Sequence, residues 1–155
     1  MRKQLLIPMC IFLMLTACAG QAARVPTSTP VNTSSLGTHF PQIINTPNAY
    51  MEALIKGELV LENGCLRVNG VDGAVNGATI LLIWDPRFST STKQGAVQVI
   101  DNKTGKALAS VGDYVAVGGG FDDNPTWMGL ANPLPEDCPG PYYIVGEYIK
   151  KIDGP

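Results

Sequence analysis

Glu58-Leu59-Val60-Leu61-Glu62-Asn63-Gly64-Cys65-Leu66-Arg67-Val68 is the stretch that decides the fold. Asn63-Gly64 stands between two short apolar runs. A two-residue type I′ turn needs φ > 0 at both central positions, and Asn-Gly supplies it with least strain. The segment therefore predicts an antiparallel hairpin.

Working upstream, Met51 to Leu61 reads MEALIKGELVL and supports two readings. Thr46 as N-cap, Pro47 as first helical residue and Gly57 as terminator would give a short helix. A strand from about Leu54, bent at Gly57 and preceded by one helical turn, would place Leu59 and Leu61 on one face. The strand is the preferred reading. Downstream, residues 69–77 are turn-rich and predict a loop. Asp72 and Asn76 within it lack the spacing of a calcium-binding helix–loop–helix site.

Thr79 to Trp84, TILLIW, is an uninterrupted apolar run of β-formers, expected as a central strand buried on both faces. Asp85-Pro86 ends it, and Phe88 to Gln94 reads as a polar loop. Ala96 to Ile100 is a strand with Val97 and Val99 on one face. Asp101 to Lys106 is a hairpin turn with Gly105 in the left-handed position, and Ala107 to Ser110 returns. Gly112-Asp113 turns the chain again. Tyr114 to Val117 leads into Gly118-Gly119-Gly120, expected as a bent or bulged strand end. Tyr142 to Lys150 is the last strand, with Gly146 marking a bulge or a close backbone approach. Six or seven short strands with little helix predict an all-β fold. The first expectation is a small closed or partly open barrel of OB type, because closure removes exposed edges. The alternative is a small β-sandwich.

Composition agrees. The chain has 155 residues, with 17 glycines and 12 prolines, which argues against long helices. A formal charge of −2 gives no basic face for nucleic acid. One histidine leaves little room for histidine-based metal sites or catalytic triads.

The start of the chain carries a different signal. Arg2 and Lys3 precede an almost wholly apolar run from Leu5 to Thr16. Such a run rises only about 18 Å as a helix, against a bilayer core of about 30 Å. A basic start, a short apolar run and small residues after it describe a secretory signal peptide. The run ends in Leu15-Thr16-Ala17-Cys18, which resembles the lipobox of bacterial lipoproteins. That resemblance implies a diacylglyceryl group on the Cys18 thiol, cleavage between Ala17 and Cys18, and anchoring by palmitate-like chains. Two or three acyl chains hold durably where one holds only reversibly. Ala19 after the cysteine resembles the pattern of lipoproteins sent to an outer membrane. Taking Arg2 and Lys3 from 11 basic groups leaves 9 against 13 acidic ones, a net charge near −4. Electrostatic adhesion to anionic lipid is then not expected.

Residues 21–38, rich in Ser, Thr, Pro and Asn, cannot bury enough apolar surface to order themselves. The expected organisation is a signal peptide over 1–17, a lipidated cysteine and disordered tether over 18–46, and a β-domain over 47–155. His39 falls at the far end of that tether. In an oxidising compartment the two body cysteines, Cys65 and Cys138, are most simply a bridge, with two free buried thiols as the other possibility.

Catalytic signals are weak. Gly118-Gly119-Gly120 lacks the Lys-Ser/Thr of a phosphate loop. Asp122-Asp123 and Glu136-Asp137 offer carboxylates for glycoside hydrolysis but sit in Pro- and Gly-rich loops. Trp127, in DDNPTWMGL, stands in an irregular stretch. It is read either as an anchor for a partner or sugar, or, with Met128, as a plug at one end of the barrel. The blocks GCLRV, ILLIWDPRF, VGDYVAVGGG and CPGPYYIVGE resemble a set of small, uncharacterised bacterial envelope proteins. The resemblance implies no activity, and its cysteine positions fit the bridge.

The sequence reading is thus a lipid-anchored, non-enzymatic, extracytoplasmic binding module without cofactor or metal. Its candidate face is Asp122, Asp123, Trp127 and Met128, and its partners are the membrane through lipid and an envelope protein or glycan. The competing readings are an envelope hydrolase using loop carboxylates and a purely structural envelope protein.

Overall fold

The computed structural model describes residues 37–47, 52–70 and 77–155. The signal peptide, Cys18, the tether as far as residue 36, residues 48–51 ahead of the strand expected from about Leu54, and Asp72 and Asn76 lie outside the described residues.

The Asn63-Gly64 turn forms as its residues require, with φ of 51° and 80°. It joins β1 (Ala53–Glu62) to β2 (Cys65–Asn69), with Glu62 opposite Cys65. The strand reading of residues 54–61 holds. Gly57 is required because a Cβ there would lie 2.3 Å from the Asn69 carbonyl oxygen.

β2 pairs with β3 (Ile80–Ile83), and β3 runs parallel to β8 (Tyr142–Lys151). β8 pairs antiparallel with β7 (Tyr114–Asp122), which returns to β1. The five strands close into a barrel in the order β1-β2-β3-β8-β7. With the strands between β3 and β7 set aside, this is a small five-stranded closed barrel, the first of the two architectures expected from the sequence.

Those intervening strands form a second sheet, β4 (Phe88–Lys93), β5 (Ala96–Asp101) and β6 (Lys106–Ser110). Residues 88–93 are therefore a strand and not the polar loop expected of FSTSTKQ. Their hydroxyl-rich side chains face largely outward, while Phe88 is buried. Gln94 and Gly95, with φ of 52° and 81°, make a second tight turn of the same hand as the first.

Two apolar layers result. Ile55, Leu59, Leu66, Val68, Ile80, Leu82, Val115, Val117, Tyr143 and Val145 fill the barrel, and Phe88, Val97, Val99 and Ala109 of the second sheet continue that core. Trp84 sits between them, stacked on Phe40 and edge-on to Phe88. The outward faces of β2, β3 and β8 carry a separate cluster of Cys65, Leu81, Ile83 and Ile144, joined by Ile43 and Cys138 and covered in part by Leu130 and Leu134. β3 thus buries alternate side chains in opposite layers, as its unbroken apolar run requires.

The glycine run is not a strand end. β7 continues through Gly118, Gly119 and Gly120 to Asp122 with an irregularity in its ladder. Val117 pairs with Ile149 and Gly119 with Val145, so four steps of β8 oppose two of β7. The extra residues of β8 therefore fall within 146–148, the stretch that holds the glycine expected to mark a bulge or a close approach. A Cβ on Gly119 would sit 2.0 Å from the Ile144 carbonyl oxygen, so only glycine lets the strands approach this closely.

The domain also begins earlier than residue 47. His39 bridges to Cys65, Gln42 to Trp84, and Ile43 to Leu130. Ile43 is 1% exposed. The FPQII stretch has enough apolar surface to leave the tether and dock on the barrel.

Candidate functional site

The segment from Asp123 to Pro141 leaves β7 and crosses the outer faces of β2, β3 and β8 before the chain re-enters the barrel. Cys65 and Cys138 form a disulfide that fixes its far part to β2, with Cα atoms 5.8 Å apart. The buried Arg67 side chain donates to the Pro139 carbonyl at 2.7 Å. Five-stranded Greek-key rings of this order often bind oligonucleotides or oligosaccharides on the outer face of the second and third strands. Here that face lies beneath the protein's own chain.

The near part of the same segment presents the candidate site. Asp122 is the last residue of β7. Its Oδ1 accepts from the Asn124 amide at 2.7 Å, and its Oδ2 accepts from the Trp127 indole Nε1–H at 2.6 Å. Asn124 caps a single 3₁₀ turn, Pro125–Met128, through its side-chain oxygen. Gly129 ends the turn in the left-handed region, and its amide donates to the Thr126 carbonyl at 3.1 Å.

Trp127 is 69% exposed, the most exposed large apolar side chain among the described residues. It does not plug the barrel. Met128 is partly buried against the outer apolar cluster. The indole is nonetheless held, because Asp122 fixes its nitrogen edge while most of the side chain stays exposed.

Residues that the sequence reading assigned to the tether complete the site. The Ile44 amide donates to the Gly129 carbonyl and the Ala131 amide to the Gln42 carbonyl, both at 2.9 Å. These bonds weld residues 42–44 to the loop. An open hollow of about 230 Å³ lies alongside, lined by Asn45, Thr46, Pro47, Trp127 and Met128. The Thr46 hydroxyl donates to the buried carboxylate of Asp85 at 2.9 Å, which holds that wall. A second hollow, of about 200 Å³, is lined by residues including His39, Phe40, Pro133 and Pro135.

Neither hollow is lined by a carboxylate. Among the described residues, no hydrogen bond or ion pair joins Asp122 or Asp123 to Glu136 or Asp137, and the carboxylate of Asp122 is engaged in holding Trp127. No group of three or more His, Cys, Asp or Glu side chains among the described residues is gathered as a metal site.

Of the four residues that the sequence offered as a candidate face, the structure brings Trp127 and Met128 together on one hollow with Asp122 bonded to the indole, while Asp123 lines neither hollow. It missed Asn45, Thr46 and Pro47. The signal available was Ile43-Ile44, an apolar pair just before them that an unstructured tether does not need. No family model matches the chain, and neither a curated protein nor a solved structure matches it.

Proposed function

We propose that the chain is a lipid-anchored, extracytoplasmic binding module that engages an envelope partner through Trp127. The observation that carries the binding reading is a large, exposed aromatic side chain locked by a hydrogen bond to Asp122 beside an open hollow. Such a side chain offers contact area with little rotamer entropy left to lose on binding, which is the character of an interface anchor.

The anchor reading rests on Arg2, Lys3, the apolar run to Thr16 and Leu15-Thr16-Ala17-Cys18. A Cys65–Cys138 bridge suits an exported chain, since disulfides persist in oxidising compartments. Among the described residues no helix is long and apolar enough to cross a membrane.

Two measurements test the two halves. Cys18→Ala is expected to abolish labelling with radioactive palmitate and to move the protein out of the membrane fraction; persistent labelling overturns the anchor. The unlipidated Cys18→Ala chain is expected to co-sediment with isolated cell envelopes, and the same chain carrying Trp127→Ala to stay in the supernatant with unchanged thermal unfolding. Equal sedimentation of the two overturns the binding face.

A further inference from the structure

We infer that the Trp127 site takes a cationic group, an ammonium carried on a lysine side chain of a peptide partner. The inference rests on the reading of Trp127 as a binding anchor and adds the chemistry of what it binds.

Three observations point the same way. The first is the donor and acceptor inventory of the site. The one strong donor on Trp127, its indole N–H, is already engaged with Asp122 Oδ2. What remains outward is the π-face, which is electron-rich and attracts cations, tryptophan most of all. The carboxylate at the nitrogen edge reinforces that negative potential.

The second is charge. Between Lys106 and Lys150 the chain carries no Lys, Arg or His, and Asp122 and Asp123 stand just before Trp127, whereas Asp113 and Glu147 in the same span are paired with Lys151 and Arg87. The other wall, residues 42–47, carries no charged residue at all. Asp123 is exposed next to Asp122, and among the described residues no cation pairs with either. Asp122 and Asp123 therefore carry negative charge beside Trp127 that no cation among the described residues neutralises.

The third is shape. The hollow beside the indole is open and lined by Pro47 and Met128 with Asn45 and Thr46. A lysine side chain has the matching character, with an apolar stem for Pro47 and Met128 and a charged head for the π-face and carboxylates. A neutral sugar would fit the indole face but would gain nothing from the uncompensated acidic charge.

The test uses the ¹⁵N-labelled full chain and follows the Trp127 indole N–H signal by NMR, with the buried Trp84 indole as internal reference. The probes are trilysine, its fully Nε-acetylated counterpart and a neutral trimer of N-acetylglucosamine. Trilysine is expected to shift the Trp127 signal saturably, and the acetylated peptide is not. The trilysine affinity is expected to fall at least about fivefold between roughly 0.05 and 0.5 M salt, as screening of an exposed charge pair requires. By backbone amide shifts, Trp127→Ala is expected to weaken binding about fivefold or more, and Asp123→Asn about threefold. If the sugar trimer alone moves the Trp127 signal, the ammonium assignment is overturned while the binding face stands. If trilysine leaves the signal unmoved, or binds both variants as well as the parent chain, the assignment is overturned whatever the sedimentation test shows.

Discussion

Tyr143 shows what one hydroxyl contributes to a barrel this small. Its side chain is fully buried, and its O–H donates to the Ala53 carbonyl at 2.7 Å with the Val117 carbonyl 3.2 Å away. It thereby ties the start of β1 to β7 at the edge of the bulge. Burial pushes its pKa up to about 12. Tyr143→Phe is expected to cost about 1 kcal/mol at neutral pH by urea unfolding, the net worth of a hydrogen bond. Because the raised pKa favours the neutral phenol in the folded state, that contribution is complete below the unfolded value of about 10 and fades as pH rises toward 12. The stability gap between the parent chain and Tyr143→Phe is therefore expected to close over that window. Asp113 gives the opposite sign. Burial pushes its carboxyl up, but hydrogen bonds from Lys151 Nζ and the Ser110 amide outweigh burial and hold it below the usual carboxylate range. Its contribution is present above a pH of about 4 and lost as pH falls, and partial exposure keeps it below about 1 kcal/mol. Asp113→Asn is expected to flatten the acid limb of the stability profile by that amount. At this scale the site was only partly legible. Asp122 and Trp127 were named, but an aromatic beside a methionine in an irregular stretch reads alike as plug and as platform. The choice depends on the indole–carboxylate bond, which five residues of loop separation do not reveal.

Elements were more legible than residues, for identifiable reasons. The Asn63-Gly64 turn, the β3 run and the last strand combine apolar patterning with turn residues that admit one backbone shape. β4 escaped because FSTSTK has a single apolar residue, and its strand character lies in Thr90 and Thr92 and in pairing with β5. Gln94-Gly95 was the missed signal, a tight turn whose first residue is not one of the usual ones. The tether boundary failed for the reverse reason, since polar flanks hid the docking of Ile43. The bulge offers the clearest test at this scale. Gly119→Ala is expected to cost about 3 kcal/mol or more, at the upper end of overpacking, because a backbone oxygen at 2.0 Å cannot give way. Gly105→Ala meets open space at φ 68° and is expected to cost only about 1 kcal/mol, the left-handed penalty alone. Comparable losses from the two in thermal unfolding would contradict the packing described at the bulge.

The whole molecule is two apolar layers sharing one wall, β2-β3-β8, and the disulfide holds the outer layer on. The bridge closes a span of 73 residues, for which the chain-entropy estimate is about 4 kcal/mol. A Cys65→Ser, Cys138→Ser double variant is expected to lose roughly 2–5 kcal/mol. Hydrogen exchange should then rise first over residues 128–141 and 38–44, and only later in the barrel strands. Uniform loss of protection would show that the two layers unfold as one unit. Another consequence follows from β8, which makes both closing contacts of the ring, parallel to β3 and antiparallel to β7. A copy broken off before Tyr142 would keep β1, β2, β3 and β7 as an open sheet with two raw rims, a shape prone to sticking to its neighbours. A copy lacking β8 would thus announce itself to proteases by the very seam it lacks.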